Sequence, residues 1–379
     1  MAKEKKKSGL DEIASLFKSL KSETGSTLVE SPYSNVQDWI STGSYAFNIL
    51  LSGSPFKGVA AGRATAFAGL SGVGKSYMTM STIKHAQEKG YYAIYIDTEN
   101  AVSSDFAKDI GCNAEYIWHE NLFVIEEVRN FVINKVGDIL NKNPGTKIML
   151  VMDSLGNLSS EKDKRDIKED KRNADMGSRA KALKDMLRNM IHFCAFHHIP
   201  YIYTNHAYRD VANAPNPMYA KLVMSGGNQP VYMASVVALA SAKDIKDKVT
   251  NKVFGRLLTV KTDKNRIAIP NQTCEIMLSF REGLLPYFGL APFAVEAGLF
   301  NQTAKTVGAE KFEVKHMKKT FSKLELYSKK IAPQAFNSDT MSAIEEYCLK
   351  NYTYSSKYLP EDDISESNIE ISESENAGE

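Results

Sequence analysis

The segment GLSGVGKS, residues 69 to 76, constrains the fold more than any other part of the sequence, because it matches the pattern G-x-x-x-x-G-K-S. It follows the strand-like run ATAFAG and precedes SYMTMSTIKHAQEK, which is typical of a helix. A glycine-rich turn between a strand and a helix indicates a P-loop, in which backbone N–H groups and the helix N-terminus face phosphate oxygens. The predicted phosphate-binding residues are Gly69, Leu70, Ser71, Gly72, Val73, Gly74, Lys75, Ser76 and Tyr77.

Two side chains of this segment indicate which ligand it binds. Lys75 would reach the β- and γ-phosphates of a nucleotide, and the Ser76 hydroxyl would bind Mg²⁺. ATP and Mg²⁺ are therefore the predicted cofactors.

Polar residues at the ends of other strand-like runs extend this prediction. Asp153 ends KIMLVMD and would hold Mg²⁺, with a helix cap as the alternative role. Asp97 and Glu99 follow YYAIYI, and Glu99 is the predicted base that activates water, although solvated acids are common at strand ends. His206 in TNHAY could contact the γ-phosphate and report its presence, or it could be a rim histidine without that role.

Strands and helices alternate from about residue 60 to 280, which predicts an α/β fold with a mostly parallel twisted sheet and helices on both faces. Helices are expected at NLFVIEEVRNFVINKVGDIL and SRAKALKDMLRNMIHFCAFHH, and a strand at PYIYTNH. The strand-like runs VYMASVVALA, RLLTVKTD and TCEIMLSF then follow one another, which favours an antiparallel extension of the sheet.

The pattern divides the chain into four predicted parts. Residues 1–35 hold an amphipathic helix, at 8 to 21, and a linker. Such a helix must bury its apolar face on its own core or on a neighbouring subunit. Residues 36–282 form the α/β core, residues 283–359 a small α+β carboxy-terminal domain, and residues 360–379 an acidic tail.

Composition excludes several classes of protein. The apolar runs are too short to span a membrane, and no apolar stretch follows the basic start, so neither a membrane location nor a secretory signal is expected. Cys112, Cys194, Cys274 and Cys348 lie far apart without a C-x-x-C pair, which favours a reducing cytoplasm without disulfides or zinc.

Charge is distributed unevenly along the chain. Of 47 basic and 45 acidic residues, eight acids and no base lie after Pro360, so the rest of the chain has ten more basic than acidic residues. This favours a polyanion partner with which the tail competes, although the tail could also serve only solubility. If it competes, removing residues 361–379 should tighten binding of that polyanion.

The motifs occur in the order seen in RecA-type recombinases, which the chain resembles from about residue 38 to 300. The similar segments are DWISTGSYAFNILL, IDTENAV, VMDSLGNL, DMGSRAKALKDMLR and SGGN. DSLGNL, NHAY, MYAKLVMSGG and the acidic tail are closer to the UvsX branch of the family, from T-even-like phages, than to bacterial RecA. The resemblance implies a RecA-like ATPase core that forms an ATP-dependent helical filament on single-stranded DNA, pairs it with homologous duplex DNA and exchanges strands.

The resemblance also implies roles for particular residues. It maps the water-activating glutamate to Glu99, and the γ-phosphate sensor to His206, where bacterial RecA has glutamine. It maps the adenine-stacking aromatic to Phe106, where the family more often has tyrosine. Lys264 and Arg266 match basic residues that reach the ATP of the neighbouring subunit, although a solvated pair on a strand is the alternative.

Two segments carry the residue types that bind single-stranded DNA, namely cations for phosphates and apolar or flat groups for bases. One is the proline- and glycine-containing loop from Asn213 to Asn228, and the other lies at about 156 to 177 and is expected to be mobile. A basic helix face follows the second loop, which could also be only a solvated surface. The predicted DNA-binding residues are Met176, Gly177, Arg179, Lys181, Lys184, Arg188, Arg209, Met218, Tyr219, Lys221, Val223, Gly226 and Gly227.

Two other functions compete with the recombinase. A hexameric RecA-fold helicase usually carries a separate amino-terminal domain, whereas only about 35 residues precede the core here. An ATP-gated, non-enzymatic mediator would be favoured by loss of Lys75 or Glu99, and both are present. The predicted partners are DNA, further copies of the chain, a recombination mediator and a single-stranded DNA-binding protein, in the cytoplasm of a host cell.

Overall fold

The computed structural model describes residues 9–18, 26–28, 31, 33–169, 176–210, 220–247, 250–306 and 309–354. Its helices are α1 (Gly9–Lys18), α2 (Tyr45–Ser52), α3 (Lys75–Glu88), α4 (Ser104–Ile110), α5 (Ile125–Asn130), α6 (Gly137–Lys142), α7 (Glu161–Lys168), α8 (Met176–Phe196), α9 (Asn228–Met233), α10 (Ala291–Glu296), α11 (Lys323–Leu326), α12 (Ala332–Ala335) and α13 (Ser338–Asn351). A π-helical turn, Phe131–Val136, joins α5 to α6.

The strands belong to one large sheet and two small ones. They are β1 (Trp39–Ile40), β2 (Val59–Ala60), β3 (Ala64–Gly69), β4 (Tyr92–Asp97), β5 (Ile117–Glu120), β6 (Ile148–Asp153), β7 (Tyr201–Arg209), β8 (Leu222–Met224), β9 (Val236–Lys246), β10 (Val253–Asn265), β11 (Thr273–Ser279), β12 (Gly283–Leu284), β13 (Phe300–Ala304), β14 (Lys311–Val314) and β15 (Lys319–Ser322). The large sheet has the order β12-β11-β10-β9-β3-β7-β6-β4-β5, and β8 pairs with the end of β7.

The large sheet is parallel from β9 to β5 and antiparallel from β9 to β12. Strands β3 and β6 are buried along their whole length, as expected for parallel strands with helices on both faces. Phe67 of β3 packs in one apolar cluster with Met80 of α3, whereas Ala66 packs in a second cluster with Met190 of α8. The prediction of an α/β fold with an antiparallel extension is confirmed.

Residues beyond 283 form the antiparallel sheet β13-β14-β15 and helices α10 to α13. Phe300, Phe312 and Ile344 of this region belong to the same buried cluster as Phe47 of α2 and Ile276 of β11. The apolar contact between this region and the core is therefore continuous, and the domain boundary at residue 283 stays a prediction.

Three elements differ from their prediction. The run VYMASVVALA was expected to be a strand, but its beginning lies in α9, and the strand starts only at Val236. Pro230 explains this, because proline has no N–H for a sheet ladder and is tolerated in the first turn of a helix. The helix expected from Asn121 begins at Ile125, because Val124 forms a β-bridge to Ser159 first.

The third difference concerns the segment from 156 to 177, which was predicted to be a loop. Helix α7 occupies part of it. Ser160 and Asp163 form a reciprocal cap, in which Asp163 N–H donates to Ser160 Oγ (3.2 Å) and Ser160 N–H donates to Asp163 Oδ2 (2.8 Å). This pair satisfies N–H groups that the first turn of a helix leaves without partners.

Helix α1 confirms the predicted amphipathic helix over the described residues. Its apolar side chains Leu10, Ile13 and Phe17 are all exposed in the single chain. Within the part of the chain that the structure describes, no helix is long and apolar enough to cross a membrane.

Candidate nucleotide site and DNA-facing loops

The loop between β3 and α3 has a backbone that requires its glycines. Gly72 (φ +70°) and Gly74 (φ +101°) lie in the left-handed region, which other residues rarely adopt. A Cβ atom on Gly69 would lie 2.5 Å from the carbonyl oxygen of Ala240, so only glycine fits there. The sequence pattern and the local geometry agree, since the helix begins directly at Lys75 with its N-terminus towards the loop.

Lys75 lies inside this loop and is only 7% exposed. Its Nζ donates to the carbonyl oxygens of Gly69 (3.2 Å) and Leu70 (3.1 Å). Burial lowers the pKa of Lys75, whereas the nearby carboxylates of Glu99 and Asp153 raise it. A phosphate at this position would add further negative charge beside the buried ammonium and so stabilise it.

The carboxylate of Asp153, at the end of β6, is 1% exposed and accepts hydrogen bonds from three hydroxyl groups. Ser76 Oγ and the Tyr95 hydroxyl each donate to Asp153 Oδ2 at 2.6 Å, and Thr204 Oγ1 donates to Asp153 Oδ1. The adjoining Ser76 and Asp153 oxygens are the hard ligands that Mg²⁺ prefers when phosphates and water complete its coordination. The residues present therefore fit a Mg²⁺–nucleotide complex.

Glu99 and His206 meet at the same edge of the sheet. His206 Nε2 lies 3.1 Å from Glu99 Oε1, which also accepts a hydrogen bond from Ser154 Oγ (2.7 Å). Parallel register causes this meeting, because His206 pairs with Gly69 and Asp97 pairs with Asp153 across neighbouring strands. The structure thus brings the predicted base, the predicted sensor and the end of β6 together.

Asp97 does not share this arrangement, although its position in the sequence suggested the same rim. Its buried carboxylate accepts hydrogen bonds from the backbone N–H groups of Glu99 (2.9 Å) and Val102 (3.3 Å). His119 Nε2 lies 3.1 Å from its second oxygen. Asp97 therefore holds the backbone of the segment that presents Glu99.

An aromatic pair lies beside the loop. The rings of Phe106 and Tyr77 are 6.1 Å apart at 77°, an edge-to-face arrangement. The beginning of β12 lies against Tyr77, since a Cβ on Gly283 would lie 2.3 Å from the Tyr77 hydroxyl. Phe106 is half-buried, so part of its ring stays accessible.

Lys264 and Arg266 lie elsewhere. Lys264 Nζ donates to the carbonyl oxygens of Val231 (2.9 Å) and Tyr232 (2.7 Å), in the last turn of α9, and Arg266 Nη2 donates to Tyr232 at 3.4 Å. Burial, followed by the charge of Arg266, lowers the pKa of Lys264 to about 8.

Strand register separates these two cations from the phosphate loop of their own chain. Lys264 pairs with Val237 of β9, which pairs with Ala66 of β3, whereas Gly69 at the end of β3 pairs with Ala240. The two groups of residues predicted to act on one nucleotide are therefore offset by three residues, about 10 Å, along these strands within one chain.

The hairpin β7–β8 carries the predicted DNA loop. Arg209, the last residue of β7, and Lys221, just before β8, are both exposed. After β8, Ser225 N–H donates to the carbonyl oxygen of His206 (2.8 Å). Gly226 (φ +90°) and Gly227 (φ +72°) adopt left-handed backbone conformations, which favour glycine. Met218 and Tyr219 lie outside the described residues.

The second predicted DNA-facing segment leads into α8. Lys181, Lys184 and Arg188 are exposed on one face of this helix. Arg179 donates to the carbonyl oxygens of Leu158 and Gly156, both at 2.8 Å.

Gly156 also lies against the sheet edge where Glu99 and His206 meet, since a Cβ there would lie 3.3 Å from His206 Cδ2. The described ends of both predicted loops therefore meet at His206. Gly177 is exposed, and the side chain of Met176 lies outside what the structure describes.

Sequence reasoning missed Tyr95, Thr204, Ser154 and the turn at Gly283. Tyr95 and Thr204 lie on β4 and β7, the strands that flank β6. A signal existed, because a hydroxyl inside an otherwise apolar buried strand needs a partner. Only the strand order shows that the partner is Asp153.

Comparison with known proteins agrees with this geometry. The family model of the RecA N-terminal domain matches residues 12–285. A recombination and repair protein of Enterobacteria phage T4 is 28% identical over 288 residues, which cover 75% of this chain and 70% of that protein. RecA proteins of Paracoccus denitrificans (25% over 267 residues, 69% of each chain) and Thermus aquaticus (26% over 266 residues, 70% of this chain and 74% of that one) are also similar. The chain belongs to the RecA family.

Proposed function

We propose that this chain is an ATP-dependent recombinase that forms a helical filament on single-stranded DNA, pairs it with homologous duplex DNA and exchanges strands. The relatives are named as recombination and RecA proteins. The observation that carries the proposal is the position of His206, which contacts Glu99 and lies against the ends of both predicted DNA loops. A bound nucleotide and bound DNA would therefore act on the same residue.

The proposed ATPase chemistry follows from the groups at the sheet edge. Lys75 and the N–H groups of the loop bind the phosphates, and Phe106 stacks on the base. Ser76 and Asp153 would hold Mg²⁺, which would neutralise negative charge on the nucleotide phosphates. Glu99 orients and deprotonates the attacking water. His206 donates to Glu99 in the described state, and a γ-phosphate would compete for that donor.

The proposed DNA contacts lie on the loops that leave this edge. Arg209, Lys221 and the face formed by Lys181, Lys184 and Arg188 would bind backbone phosphates. Gly226 and Gly227 allow close approach of backbone N–H groups to a phosphate. Met218 and Tyr219, outside the described residues, are proposed to contact bases.

The filament part of the proposal rests on α1. An exposed apolar face on a short helix needs a partner to become buried, and a second copy of the chain offers one. Deleting residues 1–30 should abolish polymers while the core stays folded, which sedimentation and circular dichroism would measure together. Polymers formed by the shortened chain would contradict this part. A mediator, a single-stranded DNA-binding protein and a cytoplasmic location stay predictions.

The test of the proposed function is ATP hydrolysis with and without single-stranded DNA, with negative-stain imaging of the same mixtures. We expect strong stimulation by DNA together with helical filaments. DNA-stimulated hydrolysis on closed rings would instead support a helicase. Absence of both stimulation and polymers would contradict the DNA interpretation of the two loops.

A further inference from the structure

The carboxylate of Asp153 is held from both sides by neighbouring strands. Tyr95 of β4 donates to Asp153 Oδ2 (2.6 Å), and Thr204 of β7 donates to Asp153 Oδ1. Strand β6 lies between β4 and β7, so the two hydroxyl groups approach the carboxylate from opposite directions. Ser76 from α3 supplies the third donor, again to Oδ2 (2.6 Å).

We propose that Tyr95 and Thr204 are positioning residues for the metal–nucleotide complex, which they affect by fixing the orientation of the Asp153 carboxylate. The inference rests on the proposed function, since it assumes that Mg²⁺–ATP binds at Ser76 and Asp153. Because Tyr95 donates to one oxygen and Thr204 to the other, the carboxylate cannot rotate without breaking a charge-assisted hydrogen bond. Groups that orient a metal-binding carboxylate commonly change metal affinity about 10- to 100-fold when removed.

Two other tyrosines of the same sheet show that burial alone does not explain this contact. The Tyr203 hydroxyl donates to the carbonyl oxygen of Pro230, and the Tyr201 hydroxyl meets no hydrogen-bond partner among the described residues. All three side chains are fully buried. Only Tyr95 of these three reaches a carboxylate.

The test measures binding rather than turnover. A fluorescent ATP analogue is titrated onto the full chain at increasing Mg²⁺, and again in EDTA without Mg²⁺. For Tyr95→Phe we expect the Mg²⁺ concentration that gives half-maximal binding to rise about ten-fold, with unchanged affinity in EDTA. The substitution keeps the ring and removes only the hydroxyl, so a packing defect is not expected.

Thr204 gives a second, independent test. Thr204→Val keeps the shape but removes the donor, whereas Thr204→Ser keeps the donor. We expect the valine variant to need more Mg²⁺ and the serine variant to bind like the original chain. Tyr201→Phe and Tyr203→Phe are matched controls, because they remove buried hydroxyls of the same sheet that do not contact Asp153. Thermal melting of every variant shows that each is folded.

The outcomes separate the two proposals. If the original chain binds the analogue in a Mg²⁺-dependent way but both Tyr95→Phe and Thr204→Val need no more Mg²⁺ than it does, the positioning role is overturned. An equal change in Tyr201→Phe or Tyr203→Phe would also overturn it. If the original chain does not bind the analogue at all, the proposed function fails, and this inference fails with it.

Discussion

The carboxyl edge of the parallel sheet and the corner between α9 and β10 both carry residues predicted to act on ATP, but their surroundings differ. At the sheet edge, Asp153 and Glu99 accept hydrogen bonds from side chains of neighbouring elements. At the corner, the side chains of Lys264 and Arg266 instead donate to backbone carbonyls of α9.

The difference indicates which proposed functions belong to one subunit and which to its neighbour. The sheet edge contains the proposed phosphate, metal and water sites of one chain, so we expect one subunit to bind nucleotide by itself. The corner presents cations that are offset along the strands from the phosphate loop of their own chain, and we propose that they serve a second copy. Charge supplied by a neighbour would make hydrolysis depend on assembly.

The largest expected effect is at the sheet edge. Glu99→Gln removes the proposed base but keeps a hydrogen-bonding side chain of the same size, so we expect ATP hydrolysis with DNA to fall by roughly 10²- to 10⁴-fold. The affinity for ATP, measured by filter retention, should stay unchanged. The exposed Glu115 provides the matched control Glu115→Gln. A variant that still hydrolyses ATP at the original rate would remove Glu99 from the mechanism.

The next effect is at the corner. Replacing Lys264 and Arg266 by alanine should lower DNA-stimulated hydrolysis on the order of 100-fold, because charge in the transition state is no longer neutralised. Nucleotide binding by subunits that are not assembled into filaments should be unaffected, since the phosphate loop of each subunit is intact. Lys261→Ala, an exposed position on the same strand, is the control. Weaker nucleotide binding by the unassembled subunits would mean that the cations act within one subunit.

A smaller effect is expected on the DNA side of the sheet edge. Arg209→Ala combined with Lys221→Ala should weaken binding of single-stranded DNA roughly ten-fold and flatten its salt dependence by about one unit of slope. Fluorescence anisotropy at several salt concentrations measures both quantities. Lys142→Ala, an exposed lysine at the end of α6, should leave them unchanged. An unchanged slope in the double variant would mean that these cations do not contact phosphates.

The smallest effect distinguishes the two regions by pH. Because the pKa of Lys264 is lowered to about 8, this side chain loses its charge as the pH rises through that value. DNA-stimulated hydrolysis should therefore decline a few-fold between about pH 7.5 and 9, whereas Lys264→Arg should not show this decline, since arginine stays charged. Identical pH profiles for the two proteins would show that the charge of Lys264 is not needed.

The sequence predicted which residues lie at the sheet edge better than it predicted the contacts between neighbouring strands. The P-loop, Asp153 and Glu99 are marked by local patterns, because a motif and a strand end can be read without knowing the fold. Tyr95 and Thr204 were missed because their contact with Asp153 depends on which strands are neighbours.

Two helices were missed for local reasons. Ser160 and Asp163 give a capping signal for α7, which the prediction of a mobile loop at 156 to 177 did not take into account. Helix α9 was missed because the apolar run after Pro230 has the composition of a strand, although its first residues are helical. The tail after Pro360 and the residues Met218 and Tyr219 lie outside the described part, and their roles stay predictions.

The most direct test of a divided site mixes two inactive proteins. Glu99→Gln subunits keep Lys264 and Arg266, and subunits with both cations replaced keep an intact sheet edge. If the cations act on the neighbour, an equal mixture on single-stranded DNA should regain roughly a quarter of the original hydrolysis rate, because about one interface in four joins two intact halves. A mixture that hydrolyses ATP no faster than the sum of its two components would contradict the account.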